Sequence, residues 1–256
     1  MKRLPAVIVA ALLALTGALI TSPASASPTT GFECYVHQGQ SRNGPHGNTA
    51  AAFRAAVRYH TDIETDLRVT KNGVPVIFHD PEMWDVAGHD RTDLIRNYSW
   101  RQINRMHYRG GGDLISWQQG LAASRGAAVL AELKVDVKWS RTRLTRVVRA
   151  INHAHAVKRV FLYTSNWQVI SRIEANWPRV RTVLRMDYTK GFQFVKANGV
   201  IGHAAYWTKH RVRAATRAGK LVYVREPPTQ SRLDQLKRWG ADGVIVPRLE
   251  GRSRCR

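Results

Sequence analysis

The feature that most constrains the fold of this chain is a regular alternation of short apolar, β-rich runs with amphipathic helical segments. The predicted strands are 32–36, 63–69, 128–135, 159–164, 181–186, 200–206, 221–225 and 243–247, and the predicted helices between them include 50–59, 116–124, 141–155, 167–175, 192–197, 209–218 and 231–239. Eight such units in about 230 residues predict an α/β fold of the (β/α)8 TIM-barrel class. A doubly wound open sheet is the alternative, because a strand count does not prove closure.

A polar segment interrupts the alternation after the second strand. The tripeptide Lys-Asn-Gly at 71–73 connects that strand to a further β-rich arm, 74–78, as in a β-hairpin. The residues that follow contain one short predicted helix, 99–106, and three consecutive glycines at 110–112. We therefore predict that 74–115 is a short insertion after the second strand of a single barrel domain.

Two carboxylates lie two residues apart on the second strand. Because side chains alternate across a strand, Glu64 and Asp66 face the same way, and at about 7 Å apart they repel each other unless a cation lies between them. A hard divalent cation, Ca²⁺ or Mg²⁺, is the simplest such cation because it prefers oxygen ligands. A solvated acidic strand face is the alternative, and these two residues alone do not decide between the two.

Further polar residues are predicted at the carboxyl ends of strands, where barrel enzymes hold their catalytic groups. His37 follows the first strand, and His79 ends the hairpin arm. Glu132 and Lys134 share one face of the third barrel strand. Three carboxylates with two histidines and a lysine suit metal-assisted phosphoryl chemistry, in which cations neutralise phosphate oxygens and histidines exchange protons.

At these residues the sequence resembles the glycerophosphodiester phosphodiesterase family. The family pattern runs His-Arg-Gly, Glu-Asn-Thr, Glu-x-Asp, Thr-Lys-Asp-Gly-x-Pro-Val-x-x-His-Asp and Glu-x-Lys. The matching residues of this chain are His37-Gln38-Gly39, Asn48-Thr49, Glu64-Thr65-Asp66, Thr70-Lys71-Asn72-Gly73-Val74-Pro75-Val76, His79-Asp80, Glu132-Leu133-Lys134 and, later, Leu162-Tyr163-Thr164-Ser165. The match is highly specific over 62–80 and weak in the C-terminal half.

The resemblance implies a (β/α)8 barrel with an insertion after the second strand, a phosphodiesterase activity and one divalent cation, Ca²⁺ or Mg²⁺. The residue roles that it implies are metal ligands at Glu64, Asp66 and Glu132, an acid–base pair at His37 and His79, and a phosphate contact at Lys134. Structural roles are the alternative. The carboxylates would then form ion pairs on the strands, and Lys134 would only pair with Glu132.

Several positions depart from the family pattern. Gln38 replaces an arginine, His46-Gly47 replaces a glutamate, Tyr223 replaces a tryptophan, and Val246-Pro247 replaces Thr-Asp. We interpret these changes as an altered substrate rim around an intact metal-and-histidine core, which predicts a shifted leaving-group preference. A surface role is expected for the histidines that match no motif, namely His46, His89, His107, His153, His155, His203 and His210.

The first 26 residues have the pattern of a cleaved signal peptide, with a basic start, an apolar run over 6–20 and a small-residue cleavage site at 24–26. Because the run is shorter than the roughly 20 residues that span a bilayer, a retained anchor is the less favoured alternative. The expected mature protein is one secreted barrel domain, 27–256. Its two cysteines, Cys34 and Cys255, are expected to form a disulfide, with two free thiols as the alternative.

The net charge of +22 is concentrated in the second half of the chain. Residues 141–256 hold 25 Lys and Arg against 6 Asp and Glu, whereas residues 1–140 hold 15 against 12. Such a field attracts polyanions. The basic clusters lack interleaved aromatic residues, which argues against nucleic acid and favours peripheral contact with an anionic membrane or cell-wall polymer.

These features favour a secreted, metal-dependent hydrolysis of small or polymeric glycerophosphodiesters to glycerol 3-phosphate and an alcohol, by a protein that we expect to be a monomer. The nearest alternative is a related barrel phospholipase, either sphingomyelinase/phospholipase D-like or phosphatidylinositol phospholipase C-like. The alternative from another class is a noncatalytic polyanion-binding protein. No glycine-rich nucleotide-binding loop follows any predicted strand, which argues against a nucleotide site.

Overall fold

The computed structural model describes residues 31–186 and 196–255. The predicted signal peptide, 1–26, and most of the helix predicted at 192–197 lie outside these residues. The strands are β1 (Glu33–His37), β2 (Asp62–Val69), β3 (Pro75–Ile77), β4 (Ile115–Ser116), β5 (Val129–Leu133), β6 (Val160–Thr164), β7 (Arg181–Arg185), β8 (Gly199–His203), β9 (Leu221–Arg225) and β10 (Gly243–Val246). The α-helices are α1 (Ala50–Arg58), α2 (Trp100–Ile103), α3 (Trp117–Ala123), α4 (Arg141–His153), α5 (Trp167–Asn176), α6 (Lys209–Arg217) and α7 (Gln230–Trp239), and two 3-10 helices span Ile95–Asn97 and Leu249–Cys255.

Eight of the strands form a closed parallel barrel. Around the barrel the order is β1, β2, β5, β6, β7, β8, β9 and β10, and β10 pairs again with β1. In the closing pair, Cys34 lies opposite Val244 and Val36 lies opposite Val246. The predicted (β/α)8 barrel is therefore confirmed, and the alternative of an open doubly wound sheet is wrong.

Side chains of the barrel strands alternate between two apolar layers. Residues that face outward, such as Val36 and Leu162, belong to a core shared with α1 and α4. Residues that face inward fill the barrel, namely Tyr35, Leu130, Phe161, Tyr163, Val183, Ile201, Tyr223 and Ile245. Because the period of a strand is two, residues two positions further along each strand line its carboxyl-terminal end, which we call the mouth of the barrel.

The segment between β2 and α3 forms a small addition on the barrel. β3 pairs antiparallel with the end of β2, and β4 pairs antiparallel with β3. The segment has its own apolar core, formed by Val76, Phe78, Met83, Val86, Ile95, Ile103, Tyr108 and Leu114. The helix predicted at 99–106 is shorter than expected: a capping box of Ser99 and Gln102 begins α2, but the chain leaves the helix after Ile103 and bridges His107 to Asp113.

A disulfide joins Cys34 on β1 to Cys255 in the C-terminal 3-10 helix, with the two Cα atoms 5.8 Å apart and 221 positions apart in sequence. The 3-10 helix packs its Leu249 into the outer core, next to the strands where the barrel closes. In the loop-closure model, a link across a loop of this length stabilises the fold by about 5 kcal/mol. Among the described residues, no helix combines the length and the apolarity needed to cross a bilayer.

Candidate active site

Three carboxylates meet at the mouth because their strands are adjacent and in register. On neighbouring strands Glu64 lies opposite His37, and Asp66 lies opposite Glu132. Carboxylate oxygens of Glu64, Asp66 and Glu132, which we call the acidic cluster, all lie within 4.8 Å of one another. All three residues are at most 6% exposed, so the alternative of a solvated acidic strand face does not fit them.

Lys134 brings a positive charge into the acidic cluster. Its Nζ lies 2.7 Å from Asp66 Oδ1 and donates a hydrogen bond of 2.8 Å to Glu132 Oε2. Burial acts to lower the pKa of Lys134, but the charges of Asp66 and Glu132 outweigh it, so the pKa is raised. The pairing of Lys134 with Glu132 is thus present, and Asp66 is a second acidic partner.

Asp66 is held in its ionised form. Burial acts to raise its pKa, but the positive charges of Lys134 and His79 and its hydrogen bonds lower that pKa to about 2. Gln38 Nε2 and Asn48 Nδ2 both donate to Asp66 Oδ2, at 3.1 and 2.9 Å. The β1–α1 loop, which carries these two amides, therefore orients the carboxylate that lies at the centre of the cluster.

In Glu64, unlike Asp66, the effects that raise the pKa of the carboxyl outweigh those that lower it. Burial, followed by the negative charge of Asp66, raises the pKa of the Glu64 carboxyl. The charge of His37 and a hydrogen bond of 2.6 Å from the Tyr163 hydroxyl to Glu64 Oε1 oppose that rise. The second oxygen, Oε2, faces His37 Nε2 at 3.8 Å.

Two oxygens of the acidic cluster are buried without a hydrogen bond among the described residues, namely Glu64 Oε2 and Asp66 Oδ1. Asp66 Oδ1 does have the Lys134 ammonium as an ionic partner at 2.7 Å, whereas Glu64 Oε2 faces His37 Nε2 only at 3.8 Å. A buried polar atom without a partner is costly, and a hard cation that takes oxygen ligands removes the cost. The donor set and its unpaired oxygens therefore fit a divalent cation.

The two predicted catalytic histidines lie together at the mouth. The ring centroids of His37 and His79 are 6.3 Å apart, with an angle of 82° between the rings. Both side chains are partly exposed, at 32% and 47%. His79 Nδ1 lies 2.8 Å from Asp80 Oδ1, and Trp84 Nε1 donates to Asp80 Oδ2 at 3.0 Å. Both imidazoles are thus accessible from solvent, and His37 lies next to Glu64 of the acidic cluster.

Comparison with known proteins identifies the same family that the sequence motifs resemble. The model of the glycerophosphoryl diester phosphodiesterase family matches residues 37–250. The chain belongs to this family. It is accordingly a phosphoric diester hydrolase, as the sequence predicted, and the alternative of a noncatalytic binding protein is wrong.

Solved structures share the fold of this phosphodiesterase at low sequence identity. A protein of Galdieria sulphuraria described as a candidate glycerophosphodiester phosphodiesterase has 22% identity and a TM-score of 0.73, over 84% of this chain and 93% of its own. A phosphodiesterase of Oleispira antarctica has 16% identity and a TM-score of 0.72, over 87% and 96%. The glycerophosphodiester phosphodiesterase of Agrobacterium tumefaciens has 20% identity and a TM-score of 0.71, over 86% and 98%. No curated protein matches the chain.

Two residues of the phosphodiesterase site were missed by sequence reasoning. The Tyr163 hydroxyl lies between two carboxylates. It donates a hydrogen bond to Glu64 Oε1 and lies 3.5 Å from Glu132 Oε2. Arg185 Nη1 donates to Glu132 Oε1 at 3.1 Å. Tyr163 lies within the matching segment Leu162-Tyr163-Thr164-Ser165, and Arg185 follows inward-facing Val183 by two positions, so strand parity was the signal for both.

The residues that depart from the family pattern lie in different parts of the phosphodiesterase. Gln38, which replaces the family arginine, binds Asp66 and adopts a left-handed backbone with φ of 56°. Tyr223 is fully buried inside the barrel and donates to Glu33 Oε2, so the interpretation of Tyr223 as part of the substrate rim is wrong. Val246 faces the outer core and is likewise absent from the rim.

His46 has more contacts than the predicted surface role implies. Its ring stacks on Tyr108 with centroids 4.0 Å apart, and its Nε2 lies 3.7 Å from Asp85 Oδ2. These contacts join the β1–α1 loop to the segment between β2 and α3. The expectation of a plain surface role for His46 is therefore wrong, because the added segment covers it.

Proposed function

We propose that this phosphodiesterase is secreted and hydrolyses glycerophosphodiesters to glycerol 3-phosphate and an alcohol with the help of one divalent cation. The observation that carries the proposal is the position of two partly exposed histidine rings, 6.3 Å apart, above three buried carboxylates. The Oleispira antarctica phosphodiesterase, which has a similar fold, was solved in complex with the product sn-glycerol-3-phosphate. That complex supports glycerol 3-phosphate as a product of the present chain.

The acidic cluster is the proposed holder of the cation. Glu64, Asp66 and Glu132 offer only oxygen ligands, which suits both Ca²⁺ and Mg²⁺. When bound, such a cation neutralises phosphate oxygens and makes phosphorus more open to attack. Lys134, which lies against two of these carboxylates, adds a fixed positive charge beside the phosphate.

His37 and His79 are the proposed acid–base pair. Hydrolysis forms a bond from phosphorus to a water oxygen and breaks the bond to the alcohol oxygen, so one proton must be removed from the water and one given to the leaving alkoxide. An imidazole can do either near neutral pH. The contact of His79 Nδ1 with Asp80 favours a proton on Nδ1, which leaves Nε2 as the atom that exchanges a proton with the substrate.

Three observations support secretion and contact with an anionic surface. The apolar run over 6–20 has the pattern of a signal peptide, and the disulfide is of the kind that persists in oxidising compartments. On α4, the side chains of Arg141, Arg146 and Arg149 are exposed while Leu144 and its apolar neighbours face the core. An anionic membrane or cell-wall polymer therefore remains the proposed peripheral partner.

A metal-titrated assay tests the chemical part of the proposal. The chelator-treated protein is given glycerophosphocholine, glycerophosphoglycerol or poly(glycerol phosphate) fragments, and the products are identified by phosphorus NMR. We expect glycerol 3-phosphate to appear only after Ca²⁺ or Mg²⁺ is added. A cyclic phosphate as final product, or free phosphocholine, would favour a related phospholipase activity, and full activity in chelator would contradict the cation.

N-terminal sequencing of protein recovered from the medium of expressing cells tests secretion. We expect the mature chain to begin at Ser27, directly after the small-residue motif at 24–26. Recovery of the protein only inside the cells, with residues 1–26 attached, would contradict secretion.

A further inference from the structure

The side of the mouth opposite β2, the strand that carries Glu64 and Asp66, has basic residues. Counted around the barrel, β8 lies four strands from β2 in either direction, and β7 and β9 flank it. The last residues of these three strands are Arg185, His203 and Arg225. Two positions earlier on the same strands stand the inward-facing residues Val183, Ile201 and Tyr223. By strand parity the three basic side chains therefore face the interior of the mouth.

A contact places Arg185 against the acidic cluster, and strand parity places Arg225 at the same mouth. Arg185 Nη1 bonds to Glu132 Oε1 at 3.1 Å. Arg225 is the last residue of β9, two positions after inward-facing Tyr223, so its side chain is on the same inward face. The two arginine side chains are 21% and 18% exposed, so both are mostly covered but remain accessible to solvent.

We propose that Arg185 and Arg225 form a subsite for a second anionic group of the substrate, a phosphate carried by the alcohol that leaves. The inference rests on the proposed function, in which the scissile phosphate sits between the acidic cluster and the two histidines. A planar guanidinium binds phosphate oxygens through two parallel hydrogen bonds. A leaving alcohol that extends across the mouth, away from His37 and His79, brings its own phosphate to these arginines.

The loss of an arginine on the other side of the mouth supports this arrangement. Gln38 occupies the position after His37 and is engaged with Asp66, so the β1 side offers an amide where a cation is typical of the family. Positive charge at the mouth is contributed by Lys134, which follows the family pattern, and by Arg185 and Arg225. Arg185 and Arg225 lie on the strands that flank β8, the strand opposite β2, which favours a substrate with negative charge at two places.

Two substrates that differ in one phosphate test the subsite. In glycerophosphoglycerol the leaving alcohol is neutral, and in a soluble three-glycerol, two-phosphate oligomer it carries a second phosphate. We expect kcat/KM of the wild type to be about tenfold higher for the oligomer. Arg225→Gln should lower the ratio of the two kcat/KM values at least about fivefold, mainly through KM, and Arg225→Lys should give an intermediate ratio.

Arg217→Gln is the matched control. It removes the same charge at the exposed C-terminal end of α6, which lies at the opposite end of the barrel from the mouth, so both substrates should be hydrolysed as by the wild type. Equal losses in the two variants would overturn the proposal, because they would show a response to net charge alone. If Arg225→Gln does not fold, an Arg225→Lys variant with the wild-type ratio overturns it as well.

A third substrate distinguishes binding at the subsite from attraction of the protein to an anionic surface. Lysophosphatidylglycerol in vesicles presents many phosphates on a surface but none on the leaving alcohol beyond the scissile one. A preference for vesicles without a preference for the soluble oligomer would overturn the subsite. If the wild type hydrolyses no glycerophosphodiester, the proposed function is contradicted. If it hydrolyses the oligomer and glycerophosphoglycerol at equal rates, the subsite alone is contradicted.

Discussion

Tyrosines hydrogen-bond to a glutamate at both ends of the barrel interior. At the amino-terminal ends of the strands, which we call the floor, Tyr35 and Tyr223 both donate to Glu33 Oε2, at 2.5 and 3.0 Å. At the mouth, Tyr163 donates to Glu64 Oε1, but Glu64 Oε2 has no hydrogen bond among the described residues. At the floor, one glutamate oxygen thus accepts two tyrosine hydroxyls, whereas at the mouth a buried glutamate oxygen accepts none among the described residues.

The difference in pairing separates a structural cluster at the floor from the proposed functional cluster at the mouth. At the floor, burial raises the pKa of Tyr35 and Tyr223 well above its usual range, so both phenols remain neutral donors to Glu33. At the mouth, three carboxylates are buried together at a cost in stability, and the unpaired oxygens are available to a ligand. Substitutions at the mouth should therefore affect activity more than stability, and substitutions at the floor the reverse.

The largest expected effect is that of Glu64→Gln at the mouth. The amide keeps the shape and can still accept from Tyr163, but it removes a proposed cation ligand, so kcat/KM should fall about 10³-fold. Affinity for Ca²⁺ or Mg²⁺, measured by titration calorimetry, should fall with it, while the melting temperature stays equal or rises. Unchanged cation affinity would show that the mouth is as structural as the floor.

His79→Ala should lower kcat about 10²-fold or more, because the variant lacks a proton-transfer group. Asp80→Asn should have a smaller effect on kcat and should change the shape of the pH–rate profile, because Asp80 orients the His79 ring rather than touching the substrate. His210→Ala, an exposed histidine on α6, is the control and should leave the profile unchanged. Equal rates for His79→Ala and the control would contradict the acid–base role.

Tyr223→Phe at the floor should produce the converse result. It removes one donor to Glu33 inside the barrel and should lower the free energy of unfolding by about 1 kcal/mol, measured in urea, with kcat/KM retained. Tyr163→Phe is the matched variant at the mouth, where it removes a donor to Glu64 and should lower kcat/KM instead. A loss of activity in Tyr223→Phe, or of stability alone in Tyr163→Phe, would break the distinction between the two ends.

A pH dependence of stability is expected at the floor. Burial raises the pKa of Asp62 to about 6, with a lesser contribution from Glu33, against a hydrogen bond from the Ala128 backbone amide. The folded protein therefore keeps this proton up to a higher pH than the unfolded chain. The stability from this raised pKa is complete below pH about 4 and is lost as the pH rises through about 6.

Asp62→Asn removes that pH dependence. The variant should match the wild type near pH 4 and exceed its free energy of unfolding by about 1–2 kcal/mol at pH 7, as measured by urea unfolding at both values. Asp113→Asn, at an exposed carboxylate, controls for the loss of one charge. Parallel stability curves for Asp62→Asn and the wild type would contradict the raised pKa.

Much of the candidate site could be predicted because it depends on local periodicity. Glu64 with Asp66, and Glu132 with Lys134, share a face of a strand whatever the fold, since the period of a strand is two. His79 could be placed because the hairpin turn at 71–73 is itself a local signal. These are also the positions where the family motifs are strongest, so resemblance and periodicity indicated the same residues.

The remaining features depended on tertiary structure. Tyr163 and Arg185 are isolated residues in the weakly matching half of the chain, and they touch the acidic cluster only because β6 and β7 follow β5 in register around the barrel. Tyr223 was misplaced for the same reason, since its distance from the strand end puts it at the floor. The sequence by itself determined the strands, their inward faces and the acidic pairs, because these follow from neighbouring residues. Closure and register decided which pairs meet and which oxygens stay unpaired, because both arise from hydrogen bonds between strands far apart in the chain.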